Sequence, residues 1–159
     1  MKRVDTLSPV ARGLRHAQLA EVARECTLLG IRQASRAVTQ IYDAALAPIG
    51  LKGNQLSLLV AISRMGEPTI TRLGEGLVTD RTTLTRNLAP LERAGLVRLE
   101  VGADRRSRIV TVTPRGSKRL AEAYPLWKRA QARVIRAMGR SRWQGLLDHL
   151  SEVTALARK

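Results

Sequence analysis

Most of this chain carries apolar residues at the three- and four-residue spacing of an α-helix, and one region changes to the alternation typical of β-strands. The spacing predicts four helices in the first part of the chain: 8–47, 54–65, 69–77 and 80–94. We expect the first helix to break near Gly13 or Gly30 and to end where Pro48 and Gly50 interrupt the pattern. The third helix has a weak propensity, because it contains two glycines that each cost about 1 kcal/mol relative to alanine.

The alternation begins after the fourth helix. Val97, Leu99 and Val101 alternate with charged residues, and a second apolar stretch follows over 109–113. The polar loop "GADRRS", residues 102–107, lies between them. Two such stretches around a polar loop predict a β-hairpin with a basic tip.

Two further helices are predicted after the hairpin. Thr113-Pro114 is typical of a helix start, and the helix that follows should extend to Gly139, bent or interrupted at Pro125. Ser141 is expected to cap the last helix. The last helix has an apolar row along one side: Trp143, Leu146, Leu147, Leu150, Val153 and Leu156. The predicted fold class is therefore mainly α with a small β-hairpin (α+β).

The helix over 80–94 is unusual on its outward side. Leu84, Leu88 and Leu91 form its inward row. The opposite side is rich in threonine and arginine and contains no carboxylate: Thr82, Thr85, Arg86, Ala89 and Arg93. The apolar spacing continues across Pro90, which predicts one kinked helix rather than two separate helices.

The charge of the chain is strongly basic, with 28 Lys and Arg residues against 13 Asp and Glu residues and a net charge of +15. The densest stretch is 79–119, where ten basic and four acidic residues give +6. A chain this basic attracts polyanions, because neutralised phosphates release their counterions. An arginine-rich, highly soluble surface is the alternative, but the clustering favours nucleic acid as the partner.

Several function classes are disfavoured by what the sequence contains. Cys26 is the only cysteine, which excludes a framework of intramolecular disulfides. The basic N-terminus has no apolar stretch of signal-peptide length, and the apolar run at 56–62 is too short to span a bilayer. We therefore expect a cytoplasmic protein without a membrane partner. His16 and His149 are far apart and no phosphate-binding glycine loop is present, so we expect no metal, no cofactor and no enzyme activity.

Three short helices followed by a hairpin form the element order of a winged helix-turn-helix unit. In such units the second helix of the pair enters the DNA major groove and presents its N-terminal residues to the base edges. Groove-facing side chains must be short or donate two hydrogen bonds, and phosphates repel carboxylates. Thr82, Thr85 and Arg86 meet these requirements, Arg81 is placed for a phosphate or a base at the groove wall, and Asp80 can cap the helix. Double-stranded DNA is therefore the expected partner.

Two stretches of the chain resemble the MarR family of bacterial transcriptional regulators. "LTRNLAPLERAGLVRLEVGADRRSRIVTVTPRG" resembles the family's recognition helix, its Gly-Leu-Val turn and its wing with Asp-x-Arg. "RQASRAVTQIYDAALAPIGLKGNQLSLLVAI" is similar to the first dimerisation helix and the start of the DNA-binding lobe. By element order the resemblance extends over about residues 25–157 and is strongest over 79–119. Together these motifs are specific, although each alone is weak.

The resemblance assigns roles in the wing. It implies that Arg106 enters the minor groove at the wing tip and that Asp104 orients it, whereas Arg105 and Arg108 contact phosphates or water. The chemistry agrees, because a guanidinium suits a narrow, negative A·T-rich minor groove and a nearby acid holds it in one rotamer.

The resemblance also implies a homodimer. It makes 1–159 a single domain in which 8–47 and 114–157 supply dimerisation helices and 51–113 forms the DNA-binding lobe. The interface would include five residues of the last helix: Trp143, Leu146, Leu147, Leu150 and Val153. A core helix has the same spacing, so the periodicity alone leaves this open. A two-fold dimer predicts a pseudo-palindromic operator.

Regulation is less well specified by the sequence. Many members of the family release DNA when a small lipophilic or aromatic acid binds between the dimer helices and the lobe, but no effector-binding residue can be named here. Arg32 or Arg36 could face such a cleft, and a solvated arginine is the favoured interpretation of each. Other members sense peroxide through a cysteine of the N-terminal helix. Cys26 lies in that region, but the alignment places the sensing position at Leu28, so a buried structural thiol is favoured.

The sequence therefore predicts a sequence-specific DNA-binding transcriptional regulator, expected to repress, that acts as a homodimer on a pseudo-palindromic operator and is released by a small effector. Two alternatives stay open: a redox-sensing regulator that uses Cys26, and an architectural protein that binds DNA without sequence preference.

Overall fold

A computed structural model describes residues 14–102 and 107–157. These residues form seven α-helices and one β-hairpin in the order α1 (His16–Glu25), α2 (Thr27–Leu46), α3 (Gly53–Met65), α4 (Ile70–Leu77), α5 (Arg81–Arg93), β1 (Val97–Val101), β2 (Arg108–Val112), α6 (Pro114–Met138) and α7 (Arg140–Leu156). The predicted fold class, mainly helical with a small hairpin, is confirmed. The chain divides by its internal contacts into residues up to 38 and residues from 39 onward, with α2 passing from one unit to the other.

The first unit contains α1 and the first part of α2. The two helices are separated at Cys26, whose backbone is extended (φ −71°, ψ 105°). The expected break near Gly30 is wrong, because α2 continues through that glycine. The other expected break, at Gly13, lies outside the described residues. No residue between 14 and 38 is buried.

The second unit begins with the end of α2, which stops at Leu46, close to Pro48 as predicted. A 3-10 turn over Ala47–Ile49 follows it. The Asp43 carboxylate accepts a hydrogen bond from the backbone N–H of Gly53 at 2.6 Å, which ties the start of α3 to the end of α2. The Gln55 side chain accepts one from the backbone N–H of Lys52 at 3.0 Å and completes the N-terminus of α3.

A leucine-rich core holds the second unit together. Its fully buried aliphatic side chains come from α2, α3, α4, α5 and β2: Leu46, Leu59, Ile62, Leu73, Leu84, Leu88, Leu91 and Val110. With few aromatic residues in the sequence, branched aliphatic side chains fill this interior. Each fully buried leucine contributes about 1.5–3 kcal/mol relative to an exposed one, so α5 is firmly anchored by its three leucines.

The last two helices follow the hairpin directly. Thr113 caps α6, since its hydroxyl accepts a hydrogen bond from the backbone N–H of Gly116 at 3.0 Å. α6 continues through Pro125 without interruption. The expectation that Ser141 caps the last helix is wrong: α7 begins at Arg140, its N-cap is Gly139, and no side chain caps it.

Within the part of the chain that the structure describes, no single helix is long and apolar enough to cross a membrane. One pair of helical segments reaches the length and apolar composition of a membrane span only when the two are counted together. The pair is Thr27–Ile49 and Gly53–Met65, which are bent by 82° at the break between them.

Candidate nucleic-acid interface

Helices α4 and α5 form a helix-turn-helix pair whose two N-termini are capped by side chains, of which the Asp80 cap was predicted from the sequence. The Thr69 hydroxyl accepts a hydrogen bond from the backbone N–H of Arg72 at 3.2 Å at the start of α4. The Asp80 carboxylate accepts one from the backbone N–H of Thr83 at 2.8 Å at the start of α5. These backbone and side-chain hydrogen bonds with Thr83 lower the pKa of Asp80 below its ordinary value of 3.8, so the cap is a carboxylate at neutral pH.

The turn between the two helices is tight. Val78 ends α4 in the left-handed region (φ 50°, ψ 50°), where a β-branched residue is strained. A Cβ atom on Gly74 would lie 2.9 Å from the Thr79 carbonyl oxygen, so α4 can approach the turn this closely only with glycine at that position. The glycine that weakens α4 by propensity is therefore required by the packing of the turn.

The outward side of α5 is exposed at the positions that were predicted to face DNA. Arg81, Thr82, Thr85 and Arg86 are all exposed in the first turns of the helix. The Thr85 hydroxyl donates a hydrogen bond to the Arg81 carbonyl oxygen at 2.8 Å. Its proton is therefore committed to the backbone, and the oxygen lone pairs and the methyl group are what Thr85 offers to a partner.

The helix α5 is continuous through Pro90 and ends in a turn at Gly95, which has a positive φ of 66°. The backbone N–H of Leu96 donates to the Leu91 carbonyl oxygen at 2.9 Å, closing the helix as a glycine at this position does. The prediction of one helix across Pro90 is confirmed, and the kink stays a prediction.

The hairpin is antiparallel and in register from Val97 opposite Val112 to Val101 opposite Arg108. The backbone N–H of Val110 donates to the Pro68 carbonyl oxygen at 2.9 Å, and Thr69 pairs with Ile109. These two contacts attach β2 to the residues just before α4. The wing and the helix-turn-helix pair are thus joined by backbone hydrogen bonds as well as by the chain itself.

The base of the hairpin is attached to the end of α5 through Thr113. Its hydroxyl donates to the Gly95 carbonyl oxygen at 2.7 Å, and its backbone N–H donates to the Leu96 carbonyl oxygen at 3.1 Å. A Cβ atom on Gly116 would collide with that same Leu96 carbonyl. This junction was not anticipated from the sequence, although a Thr-Pro-x-Gly stretch directly after a strand is a visible signal for it.

An open cavity of about 790 Å³ lies beside the start of α5. It is lined by α4, by the turn residues Val78 and Thr79, by Asp80 and Arg81, and by Ala157 at the end of α7. The cavity therefore reaches the cap and the first residue of the helix whose exposed side is rich in threonine and arginine.

Comparison with known proteins places these features in a family. The model of the MarR family matches residues 49–107. The transcriptional regulator MosR of M. tuberculosis, solved in complex with DNA, is 38% identical, and the match covers 84% of this chain and 96% of MosR with a TM-score of 0.76. The chain belongs to the MarR family.

Two further relatives of this MarR-family chain agree. The transcriptional repressor CouR bound to a 23-mer DNA duplex is 26% identical, covering 88% of this chain and 97% of CouR, with a TM-score of 0.73. CouR is also solved bound to p-coumaroyl-CoA, with a TM-score of 0.71. The HTH-type transcriptional regulator YwoH of Bacillus subtilis (strain 168) is 29% identical over 92 residues, 58% of this chain and 67% of YwoH.

The predicted wing residues of this MarR-family chain are only partly visible. Arg108 is exposed at the first position of β2. Asp104, Arg105 and Arg106 lie outside the described residues, so their roles stay predictions. On β1, Arg98 forms an exposed ion pair with Glu100 at 3.0 Å, and this arginine is already neutralised.

The row predicted for the dimer interface is partly exposed in the isolated chain. Trp143 is half-buried, whereas 38–46% of the surface of each of four apolar side chains is accessible: Leu146, Leu147, Leu150 and Val153. Apolar side chains repeated along one side of a helix and left in water are typical of a surface that another protein covers.

Cys26 lies in the extended segment between α1 and α2 and is half-buried with a free thiol. The preference for a buried structural thiol over a reactive one stays a prediction. A redox role for Cys26 stays a prediction. Among the residues that the structure describes, no cluster of His, Cys, Asp or Glu side chains could hold a metal ion.

Proposed function

We propose that this protein is a sequence-specific transcriptional regulator that binds double-stranded DNA as a homodimer and represses its target genes in the cytoplasm. The observation that carries the proposal is the exposed side of α5, where Thr82, Thr85 and Arg86 follow a helix cap made by Asp80. These side chains are short or bidentate, and the helix offers no exposed carboxylate in its first turns. The DNA-bound structures of MosR and CouR support the same use of this fold.

Arg81 lies at the first helical position of α5 and is proposed to contact a phosphate or a base at the groove wall. Arg106, oriented by Asp104, is proposed to enter the adjacent minor groove, while Arg105 and Arg108 contact phosphates. A regulator, rather than an enzyme, is the activity that these groups support, because they offer hydrogen-bond donors and positive charge without a nucleophile paired to a base.

The homodimer is proposed to form through α7. The exposed apolar row, Trp143 with Leu146, Leu147, Leu150 and Val153, supports this, as does the first unit, whose described residues bury no side chain. A two-fold axis through such an interface would place two α5 helices about one turn of DNA apart, roughly 34–36 Å. The division into dimerisation helices at 8–47 and 114–157 and a lobe at 51–113 is part of this proposal.

The effector is proposed to be a small lipophilic or aromatic acid, and the cavity beside α5 is one candidate site. Ile70 and Val78 provide apolar walls, and Arg81 can pair with an acid, although the lining also contains the carboxylates of Glu75 and Asp80. An acid paired with Arg81 would remove that guanidinium from a DNA phosphate. CouR, which binds p-coumaroyl-CoA, shows that relatives of this fold bind aromatic acyl compounds.

Selection of bound fragments from the source genome, followed by footprinting, tests the DNA-binding proposal. We expect a protected pseudo-palindrome with half-sites about 10–10.5 bp apart or a multiple of that spacing. A diffuse footprint over unrelated DNA would instead support the architectural alternative.

A cavity-filling substitution tests the effector proposal. Ala157→Trp should fill the cavity, leave operator binding intact, and abolish the release of DNA by aromatic acids such as salicylate or p-coumarate. Ser151→Trp, on the same helix but outside the cavity lining, is the matched control and should still respond. Release of both variants by the acid would place the effector site elsewhere.

A further inference from the structure

The most basic helix of the second unit is α6, not the helix proposed to read DNA. α6 contains seven Lys and Arg residues and one Glu, a net charge of +6, whereas α5 contains three Arg residues and one Glu, a net charge of +2. The proposed reading of DNA by α5 and the wing leaves this charge on α6 unexplained.

Five of the seven basic residues of α6 form what we call the basic row: Arg115, Lys118, Arg129, Arg133 and Arg136. Successive members are separated by three, four or eleven residues, which are near-whole numbers of helical turns, so all five lie on one side of α6. All are exposed. At 1.5 Å per residue the row is about 32 Å long.

The charge of the basic row exceeds that of the acids near it. Glu122 is the one carboxylate on α6; it lies on the same side of the helix, four residues after Lys118, and pairs with Arg119 at 3.3 Å. Over residues 14–102 and 107–157, no ion pair involves a member of the row. Arg129, Arg133 and Arg136 have no acid three or four residues away, although like charges at that spacing repel one another.

The basic row begins at the far end of α5 from the proposed groove contacts. The Arg115 side chain lies next to Gly95, with its Cδ atom 3.9 Å from the position of a Cβ atom there. Gly95 follows the C-terminus of α5, whereas the groove residues lie at its N-terminus. The 13 residues of α5 separate the two ends by about 20 Å, so the row begins about that far from the proposed groove contacts.

We propose that the basic row binds the phosphates of a second DNA duplex without reading its sequence, so that the protein holds two DNA segments together. This proposal rests on the proposed function of α5. The row fits DNA better than a protein partner, because protein interfaces need apolar anchors at their centre and the row has none. Arginine, which supplies four of its five members, pairs with phosphate through two parallel hydrogen bonds.

A two-duplex capture experiment tests this. The operator fragment recovered from the source genome is immobilised, the full-length protein is added, and retention of a labelled duplex of unrelated sequence is measured against salt. Wild-type protein should retain the second duplex. The variant Arg129→Gln, Arg133→Gln, Arg136→Gln should remain dimeric in sedimentation velocity and should change operator affinity by less than about twofold. It should retain about tenfold less of the second duplex, with a salt slope smaller by roughly 2–3.

A charge-matched control separates the row from net charge. The variant Lys52→Gln, Arg64→Gln, Lys128→Gln removes the same charge from exposed positions outside the row, and it should retain the second duplex as the wild type does. Equal losses in both variants, or no loss in the row variant, would overturn the proposal.

Two further measurements distinguish other occupants. If the row variant loses only the extra affinity that a longer operator fragment provides, the row binds flanking DNA and the proposal is wrong. If polyglutamate binds the row and the unrelated duplex does not, the partner is an acidic protein and the proposal is again wrong. Failure of the wild-type protein to bind the operator fragment at all would instead overturn the proposed function. Operator binding is measured separately from retention of the second duplex, so the two failures are distinguishable.

Discussion

The Asp80 carboxylate and the backbone N–H of Thr83 are joined by a 2.8 Å hydrogen bond that fixes the start of α5. The same bond lowers the pKa of Asp80, because the charged form accepts it better than the neutral acid. The cap therefore stabilises the folded protein more when Asp80 is ionised than when it is protonated.

The pH dependence of stability follows from this cap. Since the pKa of Asp80 is lower in the folded chain, its contribution is fully present above the ordinary value of 3.8 and is lost as pH falls through the lower folded value. Asp80→Asn keeps an acceptor but has no charge. Thermal unfolding followed by circular dichroism should show wild type more stable than Asp80→Asn at neutral pH, with the difference shrinking below pH 3.8. A difference that stays constant into acid would contradict this origin.

Two of the proposed groove residues of α5, Thr85 and Arg86, should affect which operator sequences the protein prefers. Thr85 donates its proton to the Arg81 carbonyl, so its remaining contacts with a base use lone pairs and the methyl group. Arg86→Ala and Thr85→Ala should each change the ranking of operator variants by about 1–3 kcal/mol at one base pair. Binding to a panel of single-base variants measures this. A uniform loss across the panel would assign both residues to the DNA backbone.

The wing tip should contribute affinity that depends on the flanking sequence. Arg106→Ala is expected to weaken operator binding and to reduce its salt slope by roughly 1, most where the flanking DNA is A·T-rich. Arg98→Ala is the matched control, because Arg98 lies on the same hairpin but is already paired with Glu100. Fluorescence anisotropy at several salt concentrations compares the two. An unchanged affinity for Arg106→Ala would remove this arginine from the interface.

The turn before α5 should tolerate a methyl group at one glycine of α4 and not at the other. Gly74→Ala brings its Cβ atom to 2.9 Å from the Thr79 carbonyl and should destabilise the fold by about 1–3 kcal/mol. Gly76→Ala meets only the far end of the Met65 side chain, its methyl group at 3.3 Å and its sulfur at 3.4 Å, and should be neutral or stabilising by up to about 1 kcal/mol. Urea unfolding measures both. Similar losses in the two variants would mean that the close approach of residue 74 to the Thr79 carbonyl oxygen does not limit the side chain there.

The apolar row of α7 should control oligomeric state. Leu150→Glu places a charge in this row and is expected to convert dimer to monomer and to weaken operator binding at least tenfold, because two linked half-sites become independent. Ser151→Glu introduces the same charge one residue away, off the row, and should remain dimeric. Sedimentation velocity distinguishes them. A dimeric Leu150→Glu protein would place the interface on another surface.

Elements set by local chemistry could be predicted from the sequence. The caps at Asp80 and Thr113, and the strands on either side of 102–107, follow from side-chain hydrogen bonding and alternation, and the structure confirms them. The exposed side of α5 was predictable for the same reason. Its inward leucines fix its orientation, and the remaining positions must face outward.

Elements set by longer-range contacts were predicted less well. The break in the N-terminal helices falls at Cys26 rather than at Gly30, because a glycine in a helix is only a weak interruption that packing can override. α7 begins at Arg140 without the expected serine cap, since Gly139 serves both as C-cap of α6 and as N-cap of α7 and Ser141 already lies inside the helix. The bonds from Thr113 to the end of α5, 17 and 18 residues away, leave no periodic signal in the sequence.

The hydrogen bond from Val110 to Pro68 has a consequence for the shape of the DNA that this protein accepts. It ties the hairpin to the segment that leads into α4, so we expect the base of the hairpin and the proposed DNA-reading helix α5 to keep a constant separation. The distance between a major-groove contact and a neighbouring minor-groove contact is then set by the protein and not adjusted to each site. A sequence whose grooves do not match that distance has to bend or narrow, and the energy of doing so differs between sequences. The protein would therefore bind more weakly to sites whose DNA is costly to deform, even where every contacted base is correct.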